Sequence, residues 1–133
     1  GRIIAGARVS EDGLEFAHTV DCLKKGYSKK QFGLVNTTLG IVATNAKFNK
    51  KEVTKIAQMS HAGLIKTITP VHTTFDGDLI FALSMGEIDA DINKVGVLSD
   101  FVVCEAVKRA VKKADGFGIV PAFKDISKGW KPA

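Results

Sequence analysis

The sequence predicts a single domain of the α/β class, in which short buried strands alternate with amphipathic helices. Two short apolar segments, the β-branched 38–44 and the segment 79–83, indicate strands, and two longer segments, 49–68 and 99–114, repeat small and apolar residues at helical spacing. The length of 133 residues and the hydrophobic fraction of 45% fit one globular domain. The predicted order is strand, helix, strand, helix.

Residues 1–36 show no sustained period. Glu11-Asp12-Gly13 has the composition of a turn, and Lys-Gly and Ser-Lys-Lys clusters interrupt the rest of the segment. Apolar residues between Leu14 and Leu23 allow one short helix or strand. A regular element elsewhere in this segment is not expected.

The first strand and the first helix have the clearest local signals. Segment 38–44 is short, apolar and β-branched, as in a buried strand. Asn49 can cap the helix that follows, and Glu52 three positions later completes a capping box. One helix face carries Val53, Ile56, Ala57, Ser60 and Leu64, and its small residues indicate close approach to a sheet or a second helix. Thr69-Pro70 ends the segment, because a residue before proline avoids helical geometry.

The second strand, 79–83, is followed by a helix over 99–114 with its apolar face on Val103, Ala106, Val107, Ala110, Val111 and Ala114. Residues 116–133 are rich in turn formers and predict no further long element. Two strands do not make an independently stable sheet. Either residues 1–36 add strands, or the rest of the sheet lies on polypeptide outside this sequence.

Composition excludes several functions. No apolar run is long enough to span a membrane, and no secretory signal is present, so a membrane partner is not expected. The formal charge of +5 is spread along the chain and not gathered beside aromatic residues, which disfavours nucleic-acid binding. Cys22 and Cys104 fit no metal or disulfide spacing, so reduced thiols and a cytoplasmic location are predicted.

Asn36-Thr37-Thr38, at the entry to the first strand, allows two readings. The simpler is a turn residue followed by two strand formers. The functional one is a self-cleaving bond: the Thr37 hydroxyl attacks the carbonyl of Asn36, and hydrolysis of the resulting ester frees an N-terminal threonine. Such a residue unites a nucleophile with a base, its own α-amine.

Asp76-Gly77-Asp78, before the second strand, also allows two readings. In an extended segment both carboxylates project to the same side, where they could serve one reaction centre. The alternative is a polar loop tip. The histidines have no partner at a diagnostic spacing, and His61 and His72 are predicted to be structural or surface groups.

Together these segments resemble the DmpA-type L-aminopeptidase/D-esterase family, and by motif its nylon oligomer hydrolase branch most closely. The resemblance is carried by Asn36 to Ala46, Ala57 to Leu64 and Pro70 to Asp78, with weaker similarity at Gly1 to Arg8 and Val120 to Asp125.

The resemblance implies a fold and a chemistry. Family members form a four-layer α-β-β-α sandwich and cut themselves before a Ser or Thr, which corresponds here to the Asn36–Thr37 bond. Thr37 then matches the N-terminal nucleophile, and Asp76 and Asp78 match the acidic pair that orients it. Thr38 and Thr74 lie beside these positions as possible supporting residues. No metal or other cofactor is implied.

The resemblance also implies partners. Residues 1–36 match the end of the large-subunit segment, and residues 37–133 match the small subunit that bears the nucleophile. The family's lysine and its oxyanion-stabilising asparagine lie upstream of Gly1, so the expected partner is an upstream portion of the same precursor. Processed units are expected to form a homo-oligomer that acts on small peptides or amides.

Two alternatives remain open at this point. Ornithine acetyltransferases use a self-generated N-terminal threonine on a similar sandwich and pass the acyl group to an amino acid instead of water. The chain could instead be a non-catalytic fragment or an assembly subunit. Asp76-Gly77-Asp78 fits the hydrolases better than the acetyltransferases.

Overall fold

The computed structural model describes residues 2–10, 13–27, 37–117 and 120–126. This part of the chain contains a two-stranded sheet and four helices, and it confirms the α/β class. In chain order the elements are α1 (Thr19–Lys24), β1 (Leu39–Ala46), α2 (Lys50–Ile65), β2 (Leu79–Ile88), α3 (Ile92–Lys113) and α4 (Phe123–Ile126).

The two strands are parallel neighbours joined through α2. Their register pairs Leu39 with Leu79 and continues to Thr44 opposite Ser84, after which an irregularity brings Ala46 opposite Ile88. A parallel pair requires a crossover connection, and α2 supplies it by packing against β2. Each strand extends beyond its predicted end, β1 by two residues and β2 by five.

Helix α2 begins where the sequence predicts and ends earlier. The Asn49 side chain accepts hydrogen bonds from the backbone N–H groups of Lys51 and Glu52, and the Glu52 carboxylate accepts from the Asn49 N–H at 2.8 Å, which confirms the capping box. The predicted end at residue 68 is wrong by three residues. Past Ile65 the Thr67 hydroxyl donates to the Gly63 carbonyl at 2.6 Å, so a side chain replaces the last helical bond.

Helix α3 begins seven residues before the predicted start at Ser99. Asp91 is its N-cap, and its carboxylate accepts from the Lys94 N–H at 2.9 Å. Ser99 is buried inside the helix and donates to the Gly96 carbonyl. The predicted apolar face is only partly right, because Val103 is buried whereas Ala106 is exposed.

The core lies between the helix pair and one face of the sheet. Leu64, Ile80 and Val103 are each at most 6% exposed and form its centre. The helices approach closely at Gly63, where an added Cβ would lie 2.5 Å from the Asp100 carbonyl oxygen of α3. The Ser60 and Ser99 hydroxyl oxygens, both buried, are 2.8 Å apart across the same interface. This confirms the prediction that the small residues of α2 allow close packing.

The opposite face of the sheet is apolar and open to solvent. Its large side chains are between 45% and 78% exposed: Leu39, Ile41, Leu79, Phe81, Leu83 and Met85. Parallel sheets are ordinarily covered on both faces. Among the described residues, this face of the sheet is uncovered.

The segment before β1 adds no strand to this sheet in the residues that the structure describes. Arg8 and Phe16 form an isolated antiparallel bridge, and α1 follows, which agrees with the prediction of one short element between residues 14 and 23. In the same part of the chain no helix is long and apolar enough to cross a membrane.

We expect Gly63→Ala to lower the free energy of unfolding by about 1–3 kcal/mol, because the new methyl group meets backbone atoms of α3 that cannot rotate away. The higher helix propensity of alanine, about 1 kcal/mol, offsets only part of this cost. Urea denaturation monitored by circular dichroism measures the difference. Gln58→Ala, at an exposed position of the same helix, is the matched control and should change stability by less than about 0.5 kcal/mol.

Candidate active site

The parallel register brings the residues before both strands to the same edge of the sheet. Because Leu39 pairs with Leu79, Thr37 lies opposite Gly77. A Cβ placed on Gly77 would lie 2.8 Å from Thr37 Oγ1, so the threonine hydroxyl occupies the space that any larger residue would need. The glycine between the two aspartates thus leaves room for the Thr37 side chain.

Thr38 is fixed from both sides through its backbone. Its N–H donates to Asp78 Oδ1 at 2.9 Å, and its carbonyl accepts from the Leu79 N–H at 2.9 Å. The Asp78 side chain is only 5% exposed. A buried carboxylate that accepts a backbone hydrogen bond is a rigid anchor, since breaking the bond leaves a desolvated charge.

Asp76 has a different set of partners. Its Oδ2 accepts from both the N–H and the hydroxyl of Thr73, at 2.9 and 2.7 Å. The Thr73 hydroxyl in turn accepts from the Phe75 N–H at 3.2 Å. The Asp76 side chain therefore makes its hydrogen bonds within its own loop, whereas the Asp78 side chain bonds to the residue before β1. Thr74, a possible supporting residue, is exposed, and its neighbour Thr73 is the one that holds Asp76.

Two histidines extend the site away from Thr38. His72 Nδ1 lies 3.7 Å from Asp78 Oδ2, and the His72 backbone N–H lies 3.5 Å from the same oxygen. On its other side His72 Nε2 is 3.2 Å from His61 Nδ1, which projects from α2. Asp78, His72 and His61 thus form a continuous chain from the start of β1 to the helix layer.

Burial lowers the pKa of His61, the neighbouring His72 lowers it further, and Asp78 acts in the opposite direction. A lowered pKa favours the neutral ring in the folded protein. In the unfolded chain His61 takes up a proton as the pH falls through about 6.5. His61 therefore contributes stability above that pH and loses it on acidification towards its lower folded pKa.

The structure brings Thr37, Thr38, Asp76 and Asp78 to one end of the sheet, while Asn36 lies outside the described residues. The two histidines were interpreted from sequence as structural or surface groups, and neither the contact of His72 with Asp78 nor that of His61 with His72 was foreseen. One signal was available for His61, which shares a helix face with Ala57 and Leu64. His72 has no comparable signal.

The chemistry that this arrangement offers comes from side chains. It combines a hydroxyl, a nearly buried carboxylate and a pair of imidazoles, which are the usual parts of nucleophilic and acid–base catalysis. Among the residues that the structure describes, no group of three or more His, Cys, Asp or Glu side chains is arranged to hold a metal ion. Cys22 and Cys104 are free thiols, as the sequence predicts.

Comparison with known proteins gives relatives with hydrolase names. An uncharacterized aminopeptidase of Mycobacterium leprae is 32% identical, over 71% of the chain and 30% of its own length. An uncharacterized aminopeptidase of Mycobacterium tuberculosis is 29% identical, over 71% of the chain and 32% of its own length. A 6-aminohexanoate-oligomer endohydrolase of a Kocuria species is 29% identical, over 58% of the chain and 25% of its own length.

The chain thus spans less than a third of the length of these relatives. Residues 4–120 also match a family model, and that range includes α1, both strands, α2, α3 and the Thr37–Asp78 site. The resemblance to the DmpA-type hydrolases is confirmed: the chain belongs to peptidase family S58.

Proposed function

We propose that this chain carries the nucleophile-bearing portion of a self-processing amidohydrolase. Thr37 is the nucleophile, the Asn36–Thr37 bond is the bond that is cut, and Asp76 and Asp78 orient the reacting threonine. Residues 1–36 then end one subunit, and residues 37–133 form the other. Membership of peptidase family S58 and relatives named aminopeptidase and endohydrolase support this function.

One observation carries the proposal: Thr37 lies beside Gly77, which has no side chain to displace the threonine hydroxyl, while the next peptide group is anchored by Asp78. Thr37 Oγ1 lies only 2.8 Å from the place that a Cβ on residue 77 would occupy. The hydrogen bond of 2.9 Å from the Thr38 N–H to Asp78 holds the adjoining backbone. Orientation of this kind is a large part of what an enzyme supplies to an attacking group.

The proposed processing begins with an N-to-O acyl shift. The Thr37 hydroxyl oxygen attacks the carbonyl carbon of Asn36, the bond from that carbon to the Thr37 nitrogen breaks, and the hydroxyl proton passes to this nitrogen, which leaves as an amine. Water then cleaves the ester, which releases the Asn36 carboxylate and restores the hydroxyl. The freed α-amine has an unperturbed pKa of about 7.7–8.0, so it can accept a proton near neutral pH.

Hydrolysis of a substrate repeats the same chemistry on an external bond. Thr37 takes the acyl group of a small peptide or amide, the substrate amine leaves, and water hydrolyses the acyl-threonine. An anionic tetrahedral intermediate needs hydrogen-bond donors, and losing one typically costs about 10²–10³ in rate. In this proposal those donors and a catalytic lysine come from the upstream portion of the same precursor.

The open face of the sheet supports such a partner. Ile41 and Met85 are 70% and 78% exposed on it, and a second sheet packed there would produce the four-layer α-β-β-α sandwich. The outward side of α3 is also apolar at Leu98 and Phe101, which supports assembly of processed units into a homo-oligomer. The free thiols Cys22 and Cys104 are compatible with a cytoplasmic location.

We expect Thr37→Ala to abolish processing of the full-length protein, lowering the cleavage rate by on the order of 10³-fold or more, because no other atom can replace the hydroxyl. Thr37→Ser keeps the hydroxyl and should still be cut. Denaturing intact mass and N-terminal sequencing distinguish a fragment that starts at residue 37 from one that starts at 38. Cleavage of the alanine variant at the same bond would disprove the assignment.

We expect Gly77→Ala to slow processing about 10²-fold without unfolding the protein, since a misplaced attacking group costs roughly that much. The new Cβ meets the end of the Thr37 side chain, which can rotate away, so stability should change by less than about 0.5 kcal/mol. The cleavage rate and the urea midpoint are measured on the same samples. An undiminished rate would show that the contact between Thr37 and Gly77 does not matter.

A further inference from the structure

The chain of contacts from Asp78 through His72 to His61 has no assigned role. It begins at a carboxylate that is 5% exposed and already holds the Thr38 N–H through Oδ1. The second oxygen, Oδ2, has His72 as its neighbour, through the ring Nδ1 at 3.7 Å and the backbone N–H at 3.5 Å. A desolvated carboxylate is costly unless such donors surround it.

The backbone at His72 is held in an uncommon conformation. Its φ of +57° lies in the left-handed region, which costs a non-glycine residue energy unless its surroundings compensate. Here the conformation presents both the backbone N–H and the ring nitrogen to the same oxygen of Asp78. These two contacts with Asp78 offset the energetic cost of the left-handed backbone at His72.

The contact between the imidazoles limits how many protons the pair can hold. In the neutral pair, His72 Nδ1–H faces Asp78, and His72 Nε2 accepts from His61 Nδ1–H across 3.2 Å. The pair can accommodate one added proton if His72 is the cation. Its Nε2–H then donates to Nδ1 of His61, whose own proton is on Nε2. A second added proton would place two N–H groups against each other, and the contact would break.

Few other charges reach this pair. On His61 the acting charges are His72 and Asp78. Asp76, in the same loop, is held by Thr73, and Asp100 of the adjacent helix α3 is paired with Lys66 of the segment after α2. Strand β1 contains no titratable residue, and β2 contains only Glu87, close to its opposite end. Among the described residues, His72 is therefore the ionisable side chain that lies beside Asp78 Oδ2.

We propose that His72 is a positioning residue, which holds Asp78 and through it the Thr37–Thr38 segment, while His61 fixes the tautomer of His72. The proposal rests on the function assigned above to Thr37. It goes beyond that function, because it adds two residues to the site.

Two substitutions at His72 separate its contributions, since glycine and asparagine both tolerate a positive φ. His72→Gly removes the ring and should slow processing by about tenfold or more at a pH near 8, the loss expected for one donor to a charged group. His72→Asn keeps an N–H donor close to the position of Nδ1 and should stay within about threefold of the original rate.

Rescue by the conservative variant distinguishes positioning from a purely structural role. The rate of processing is measured in the full-length protein for the original chain, His72→Gly and His72→Asn. We expect a loss of rate in His72→Gly and its recovery in His72→Asn. A full rate in His72→Gly, or no recovery in His72→Asn, would overturn the proposal.

Histidine ring resonances in nuclear magnetic resonance spectra give a readout that does not depend on activity. Replacing His72 by Asn removes a neighbour that lowers the pKa of His61, so His61 should titrate at a higher pH. An unchanged His61 curve refutes the coupling of the two rings even if Thr37 is the nucleophile. Coupled curves together with cleavage of Thr37→Ala would instead refute the proposed function alone.

Discussion

The parallel pairing of β1 with β2 is the constraint on which the rest of the structure depends. Its register places Thr37 opposite Gly77 and Thr38 beside Asp78, although these residues are 40 positions apart in the chain. A slip by one residue would turn Ile80 out of the core and bring Leu79 in, so burial and site geometry are specified by the same alternation. The position of the Thr37 hydroxyl is in this sense a by-product of hydrophobic packing.

Asp78 shows how that packing is combined with charge. A carboxylate that is 5% exposed would be unfavourable in an apolar setting, and here one oxygen holds a backbone amide while the other faces His72. Asp76, two residues earlier, turns back to Thr73. The two aspartates, separated by one glycine, thus make different hydrogen bonds: Asp76 bonds within its loop, and Asp78 bonds across the sheet.

Local signals predicted the elements better than their ends. The capping box at Asn49 and Glu52 depends on neighbouring residues alone, and it is present as expected. The early start of α3 was missed because Ser99 is buried by contact with Ser60 of another helix, which periodicity does not reveal. The candidate site was found through Thr37 and the Asp76-Gly77-Asp78 motif. The contact of His72 with Asp78 was not foreseen, because it depends on a left-handed backbone that the sequence does not indicate.

The open apolar face of the sheet also has a consequence for the timing of the proposed self-cleavage. A helix-covered sheet whose other face exposes Phe81 and Met85 resembles a folding intermediate, prone to associate with any apolar surface it meets. In the part of the chain described, both strands are also edge strands, which adds unpaired backbone groups to that hazard. A precursor that is cut only after this face is covered would never expose the face as a separate fragment. In such a protein, delaying the cut until folding is complete protects against aggregation as well as activating the enzyme.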